Sequence, residues 1–178
     1  MAQARSIGAV DTCGECGYDY AALGRADLAA ALRSFAGEHG ARLVAHPTEQ
    51  LRAHVRSGVW SALEYACHVR DLLGVQRARI ALALVEDTPA FASMRRDERV
   101  AEERYNEQHP ASVRSELLSA ADRLAGELEL LHEGGWRREG RYNWPVEAVR
   151  SVEWIARHTV HELVHHLRDI DDVLSAAG

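Results

Sequence analysis

Apolar residues recur at helical spacing in four stretches of this chain, separated by segments rich in Gly, Pro or charge. The first predicted helix runs from about Ala26 to Leu43, with Asp27 near its start, where a carboxylate suits the helix dipole. Pro47 breaks the pattern, because proline lacks an amide donor and restricts the residue before it. A second helix fits from about Ser61 to Val85, and Ser61 with Glu64 three residues on has capping-box spacing. The charged run "MRRDERVAEERY" reads as an exposed helical turn or two over one end of a bundle. Pro110 stands at a tolerated first-turn position for a third helix that reaches about Leu131. "HEGGWRREGRYNWP" reads as a loop with room for a short hairpin, and the last helix spans about Val146 to Leu174. The predicted fold class is therefore all-α, a four-helix bundle with long connections. The connections near 44–60 and 86–109 are candidate walls of a pocket.

The last helix is the most informative segment. At about 100° per residue, Val152, Ala156, Val160, Leu163, Leu167, Ile170 and Leu174 fall together as the buried stripe. His161 and His165 then point almost directly away from it. Glu162 and His166 sit on its flank, at the i,i+4 spacing that stacks two side chains on one face. Asp169, one turn beyond His166, is placed to orient a ligand imidazole or to face water. His161-Glu162-Leu163-Val164-His165 also fits the HExxH pattern of zinc proteases. That chemistry needs both histidines turned inward, with the glutamate as base. The angular reading turns them outward and disfavours it.

On the second helix, Tyr65, Val69, Leu72, Ile80 and Ala83 make an apolar face, and His68 falls between Tyr65 and Leu72. A histidine there is either a hydrogen-bonded core residue or a ligand. With Glu162 and His166 it completes a set of two histidines and one carboxylate. Such a set suits Zn2+ first, and also Ni2+, Fe2+ or Mn2+, with positions left open for water or substrate. Cys67 beside Leu63 reads as packing.

The chain has 178 residues, 47% hydrophobic and 27% charged, enough for one domain with a real core. Its formal net charge of −6 and the lack of a basic stripe argue against a nucleic-acid binder. No apolar run approaches the roughly 18 residues of a membrane helix. Met1 to Val10 lacks a signal-peptide stretch, so a cytoplasmic address is expected. Residues 1–24 read as a polar leader before a bundle domain of residues 25–178. The leader contains "TCGECGYDY", whose Gly content predicts a turn or knuckle. Cys13 and Cys16, two apart, can chelate a metal or form a reversible disulfide. Three readings stay open: a second metal site completed by histidines, a redox pair, or an exposed unpaired knuckle.

Two segments together resemble the DinB/YfiT-like metalloproteins, which include mycothiol-dependent maleylpyruvate isomerases and thiol S-transferases. These are Trp60-Ser61-Ala62-Leu63-Glu64-Tyr65-Ala66-Cys67-His68-Val69-Arg70-Asp71 and Glu162-Leu163-Val164-His165-His166-Leu167-Arg168-Asp169-Ile170. The resemblance covers the chain from about Arg25 onward. It implies a four-helix bundle, often dimeric, with one divalent metal near one end, and it carries the family's ligand positions onto His68, Glu162 and His166. It also implies a transferase that passes a low-molecular-weight thiol to a small electrophile. Mycothiol is the thiol that this resemblance implies. A non-catalytic metal-binding stress protein and a metal-dependent hydrolase are the competing expectations. Arg141, Tyr142 and Tyr105 are the loop groups that could serve a thiol reaction.

Overall fold

The computed structural model describes residues 12–143 and 146–178. The expectation for Met1 to Val10 lies outside them. Four long helices form the frame: α1 (Leu28–Ala45), α3 (Ala62–Val85), α5 (Pro110–Glu129) and α7 (Val152–Ala177). Short helices α2 (Thr48–Leu51), α4 (Arg96–Glu102) and α6 (Glu133–Trp136) lie in the connections, with single 3-10 turns at Arg25–Asp27 and Tyr105–Glu107. Strands β1 (Glu139–Tyr142) and β2 (Ala148–Ser151) pair as an antiparallel hairpin between α6 and α7. No described helix is long and apolar enough to cross a membrane.

α1 and α3 each pack against both α5 and α7. The diagonals of the bundle are therefore α1/α3 and α5/α7, and the chain crosses a diagonal twice, through 46–61 and through 130–151. Long connections are what such crossings require. The predicted capping box is present: the Ser61 hydroxyl accepts from the Glu64 amide at 3.2 Å and the Glu64 carboxylate accepts from the Ser61 amide at 2.7 Å. Glu64 is thereby buried rather than on the surface. Asp27 stands at the start of α1 without a side-chain capping bond.

The last helix begins later than its periodicity suggested. Residues 148–151 pair with 139–142, Glu139 opposite Ser151 and Tyr142 opposite Ala148, so the backbone is extended there. Ser151 then caps α7 by accepting from the Trp154 amide at 3.1 Å. The hairpin docks on the bundle through Phe91, whose amide donates to the Arg141 carbonyl at 3.0 Å. Its ring lies against Gly140, where a Cβ would come within 2.1 Å of the ring tip, so only glycine permits that approach.

All seven residues of the predicted α7 stripe are buried. The core divides into two apolar clusters. On α3 the division falls between Cys67 and Val69, and on α7 between Leu163 and Ile170. His68 and His166 occupy those two gaps.

Candidate metal centre

α3 and α7 pack side by side, which brings His68 from one against Glu162 and His166 from the other. One ligand atom from each lies within 4.8 Å of the other two. The two imidazoles meet edge to face, with ring centres 4.9 Å apart, and His166 Nε2 is 3.7 Å from Glu162 Oε2. Both histidines are buried, Glu162 partly so. His166 Nδ1 donates to Asp169 Oδ2 at 2.8 Å, which turns Nε2 toward the cluster. His68 Nδ1 is buried with no hydrogen-bond partner.

The electrostatics suit a cation. Burial and the neighbouring His166 push His68 down to about 3, so its ring is neutral, as a ligand must be. Burial would raise Glu162, but His161 and His166 beside it hold it well below the usual carboxylate range. Burial works against a charge on His166 too, yet Asp169 and Glu162 outweigh it and raise that ring to about 9, so without a cation it holds a proton that a metal would displace. The arrangement is two imidazoles and a carboxylate drawn together, with excess negative charge supplied by Asp169.

Around the cluster, the Trp60 ring packs 5.1 Å from His68 and Tyr65 packs 5.5 Å from His166. Trp60 also lines an open cleft of about 640 Å³ bounded by His54–Val59, Glu64 and Asp97. Its walls thus come from both connections that the sequence suggested. Among the loop groups, Tyr105 is fully buried and donates to Asp71 at 2.6 Å. The Tyr142 hydroxyl accepts from Gln76 at 2.8 Å, and Arg141 is exposed on β1.

His161 departs from the sequence reading: only 8% of it is exposed. The face opposite the α7 stripe is covered by residues 12–24. The Tyr20 hydroxyl and His158 Nδ1 share a hydrogen bond of 2.9 Å, and Arg157 donates to the Tyr20 and Leu23 carbonyls at 2.8 and 2.5 Å. Cys13 and Cys16 are carried to His161 and His165, and these four residues also bring ligand atoms within 4.8 Å of one another. Burial of Cys13 disfavours its thiolate, but amides of Cys16 and Glu15 and the His161 ring outweigh this and lower it to about 6.

Glu162 faces both groups. Its Oε2 is toward His166, while Oε1 is 3.1 Å from His161 Nδ1 and 3.7 Å from His158 Nε2. His158 and Tyr20 were not singled out as site residues by the sequence reading. The signal for the second group was present, since a Cys-x2-Cys and a His-x3-His are zinc-ligand spacings.

The fold and these clusters define a helical bundle of the metal-binding kind, with candidate ligands projecting from facing helices. The DinB superfamily model matches residues 20–170, and the chain belongs to that superfamily. YfiT from Bacillus subtilis, described as "a probable metal-dependent hydrolase with an unusual four-helix bundle topology", superposes with a TM-score of 0.78 at 17% identity. That match covers 84% of this chain and 85% of YfiT. The mycothiol-dependent maleylpyruvate isomerase superposes with a TM-score of 0.69 at 16% identity, over 85% of this chain and 62% of the isomerase. At these identities the likeness is one of fold. No curated protein matches the sequence.

Proposed function

We propose that this chain is a divalent-metal transferase that delivers a low-molecular-weight thiol to a small electrophile, with His68, Glu162 and His166 as the protein ligands. The observation that carries the reading is the convergence of these three donors; the nearby cleft reaches them only through Trp60, whose ring lines it and packs 5.1 Å from His68. Three protein ligands leave positions for an exogenous molecule, the pattern of catalytic rather than structural sites. The donors, two imidazoles and a carboxylate, fit a borderline dication, and zinc is the first choice. A dication held there would favour the thiolate form of a coordinated thiol and so provide a nucleophile at neutral pH.

The chain's own residues supply the rest. Asp169 fixes the His166 ring so that Nε2 faces the donors. Glu162 contributes the one negative charge in the ligand set, leaving net positive charge at the centre to hold an anion. Trp60 packs on His68 with one part of its surface and lines the open cleft with another, offering an apolar wall to whatever enters it. The likeness to a mycothiol-dependent isomerase supports a thiol as the exogenous group, and with it a cytoplasmic setting where such thiols are kept reduced. A second reading, hydrolysis with water as the nucleophile, is favoured by the near full-length superposition on YfiT.

The test is metal analysis of wild-type and His166→Ala protein, with cobalt-loaded samples titrated with a thiol. Loss of one metal equivalent in the variant, and a thiol-dependent change in the wild-type cobalt spectrum, are expected. Unchanged metal content in the variant would sink the site. A cobalt spectrum indifferent to thiols, together with ester or amide hydrolysis, would move the assignment to a hydrolase.

A further inference from the structure

The second cluster has the marks of a different kind of site. Residues 12–19 form a tight knuckle: Thr12 bridges Asp19, the Cys13 amide donates to the Tyr18 carbonyl at 2.8 Å, and the Gly17 amide donates to the Cys13 carbonyl at 2.8 Å. Gly17 has φ +74°, a conformation that glycine takes without strain. This turn presents both sulfurs of a Cys-x2-Cys pair to one helix face of α7, where His161 and His165 are one turn apart. Cys13 Sγ is 3.9 Å from His165 Nδ1. In a tetrahedral zinc site, bonds of about 2.3 Å to sulfur and 2.0 Å to nitrogen put neighbouring ligand atoms roughly 3.3–3.8 Å apart. The four donors, all within 4.8 Å of one another, need shifts of about an ångström or less to reach that geometry.

Two further observations point to a ligand. Both ring nitrogens of His161 are buried without a well-formed hydrogen bond; the groups that face them are the Glu162 carboxylate, with Oε1 3.1 Å from Nδ1, and the Cys13 thiol. A buried imidazole left in that state is costly, and buried polar groups normally have partners. His165, in turn, has carboxylates behind it: its Nε2 is 3.4 Å from Glu15 and 3.8 Å from Asp169, leaving Nδ1 on the cysteine side. A carboxylate behind a histidine is the usual support of a metal-bound imidazole.

We propose that Cys13, Cys16, His161 and His165 form a closed, structural zinc site that fastens the knuckle to α7. Four protein ligands leave no position for substrate, in contrast to the three at the bundle cluster. Two thiolates and two neutral imidazoles cancel the charge of the dication, which suits a half-buried position. Binding releases one proton for each thiol not already ionised and oxidises nothing. A disulfide between Cys13 and Cys16 would spend both sulfurs and leave His161 only the Glu162 carboxylate. The site also places the His161 ring against Glu162, so its occupancy positions a ligand carboxylate of the bundle cluster; this consequence alone rests on the proposed function.

Zinc-edge X-ray absorption and metal analysis of the full chain test the site, using His68→Ala to remove the bundle centre and Cys13→Ser/Cys16→Ser to remove the knuckle. The H68A protein should hold one zinc per chain with two sulfur neighbours at about 2.3 Å. The cysteine variant should lose that sulfur shell and one zinc equivalent. H68A protein without zinc, zinc there without sulfur neighbours, or a Cys13–Cys16 disulfide in zinc-treated reduced protein would each overturn the proposal. The H68A spectrum decides the matter even should the cysteine variant fail to fold. Failure of the bundle site would instead leave wild-type protein with one zinc, ligated by sulfur.

Discussion

His166 is held by Asp169 one turn further along the same helix, Nδ1 to Oδ2 at 2.8 Å, so the ring is fixed before any metal arrives. Asp169→Ala should weaken zinc binding at the bundle cluster by roughly 10–100-fold, the usual effect of removing such a partner. Asp169→Asn, which keeps an acceptor, should fall in between. Competition with a chromogenic chelator measures this, and a D169A affinity equal to wild type would show that packing alone orients the ring.

His39 gives the fold a pH dependence. It is fully buried on α1, and its Nε2–H donates to the Leu163 carbonyl at 2.9 Å. Burial is the main cause that lowers it to about 4; Leu163 opposes this, His166 and Arg42 add to it, and Asp171 works against it. Well above about pH 6.5 the ring is neutral whether folded or not. As pH falls toward 4 the unfolded chain takes up its proton first, so the folded state loses stability, by about 3 kcal/mol over the whole window. His68 and His158, also held low, act in the same direction. Urea unfolding near pH 7 and pH 5 should show a smaller loss in His39→Gln than in wild type. Equal losses would mean that His39 stays protonated or exposed.

The angular pattern of α7 carried much of the candidate site's geometry. It placed Glu162 and His166 on the flank of the stripe, and the structure sets them beside His68. Ser61 and Glu64 likewise announced the start of α3 correctly. What periodicity lacks is any knowledge of what covers the other face of a helix. His161 and His165 do point away from the stripe, but the knuckle, more than a hundred residues distant in sequence, covers His161. The start of α7 was misplaced for a related reason. Val146 to Ser151 continue the helical pattern, while strand pairing with residues 139–142 is a tertiary preference that a local pattern does not contain. Buried polar groups such as His39 and Gln76 were equally invisible, because their partners, Leu163 and Tyr142, come from other elements.

The Ser61 capping box should be measurable in isolation from the metal. Ser61→Ala removes the acceptor for the Glu64 amide and the hydroxyl that donates to Asn106 Oδ1 at 2.7 Å. The expected loss is about 1–2 kcal/mol in denaturant unfolding of metal-free protein. A loss below about 0.3 kcal/mol would show that the helix start is fixed by packing instead.

Gly140 is the tightest approach in the hairpin. Gly140→Ala forces the Phe91 ring to move, since the new Cβ would lie 2.1 Å from its Cζ. Overpacking of this kind costs roughly 1–3 kcal/mol. Pairing with Phe91→Leu should recover part of the loss, because a smaller side chain leaves room for the methyl group. A double variant no more stable than G140A would place the strain in the backbone rather than at the ring.

The knuckle and the helix that receives it are made at very different times. Cys13 and His165 are 152 residues apart in the chain yet meet across 3.9 Å. A ribosome therefore exposes the two thiols long before it has synthesised the histidines they face, and closing a contact of such separation is slow. The order of synthesis follows: the surface that receives the knuckle does not exist when the knuckle is translated, so the two can meet only after the last helix has been made.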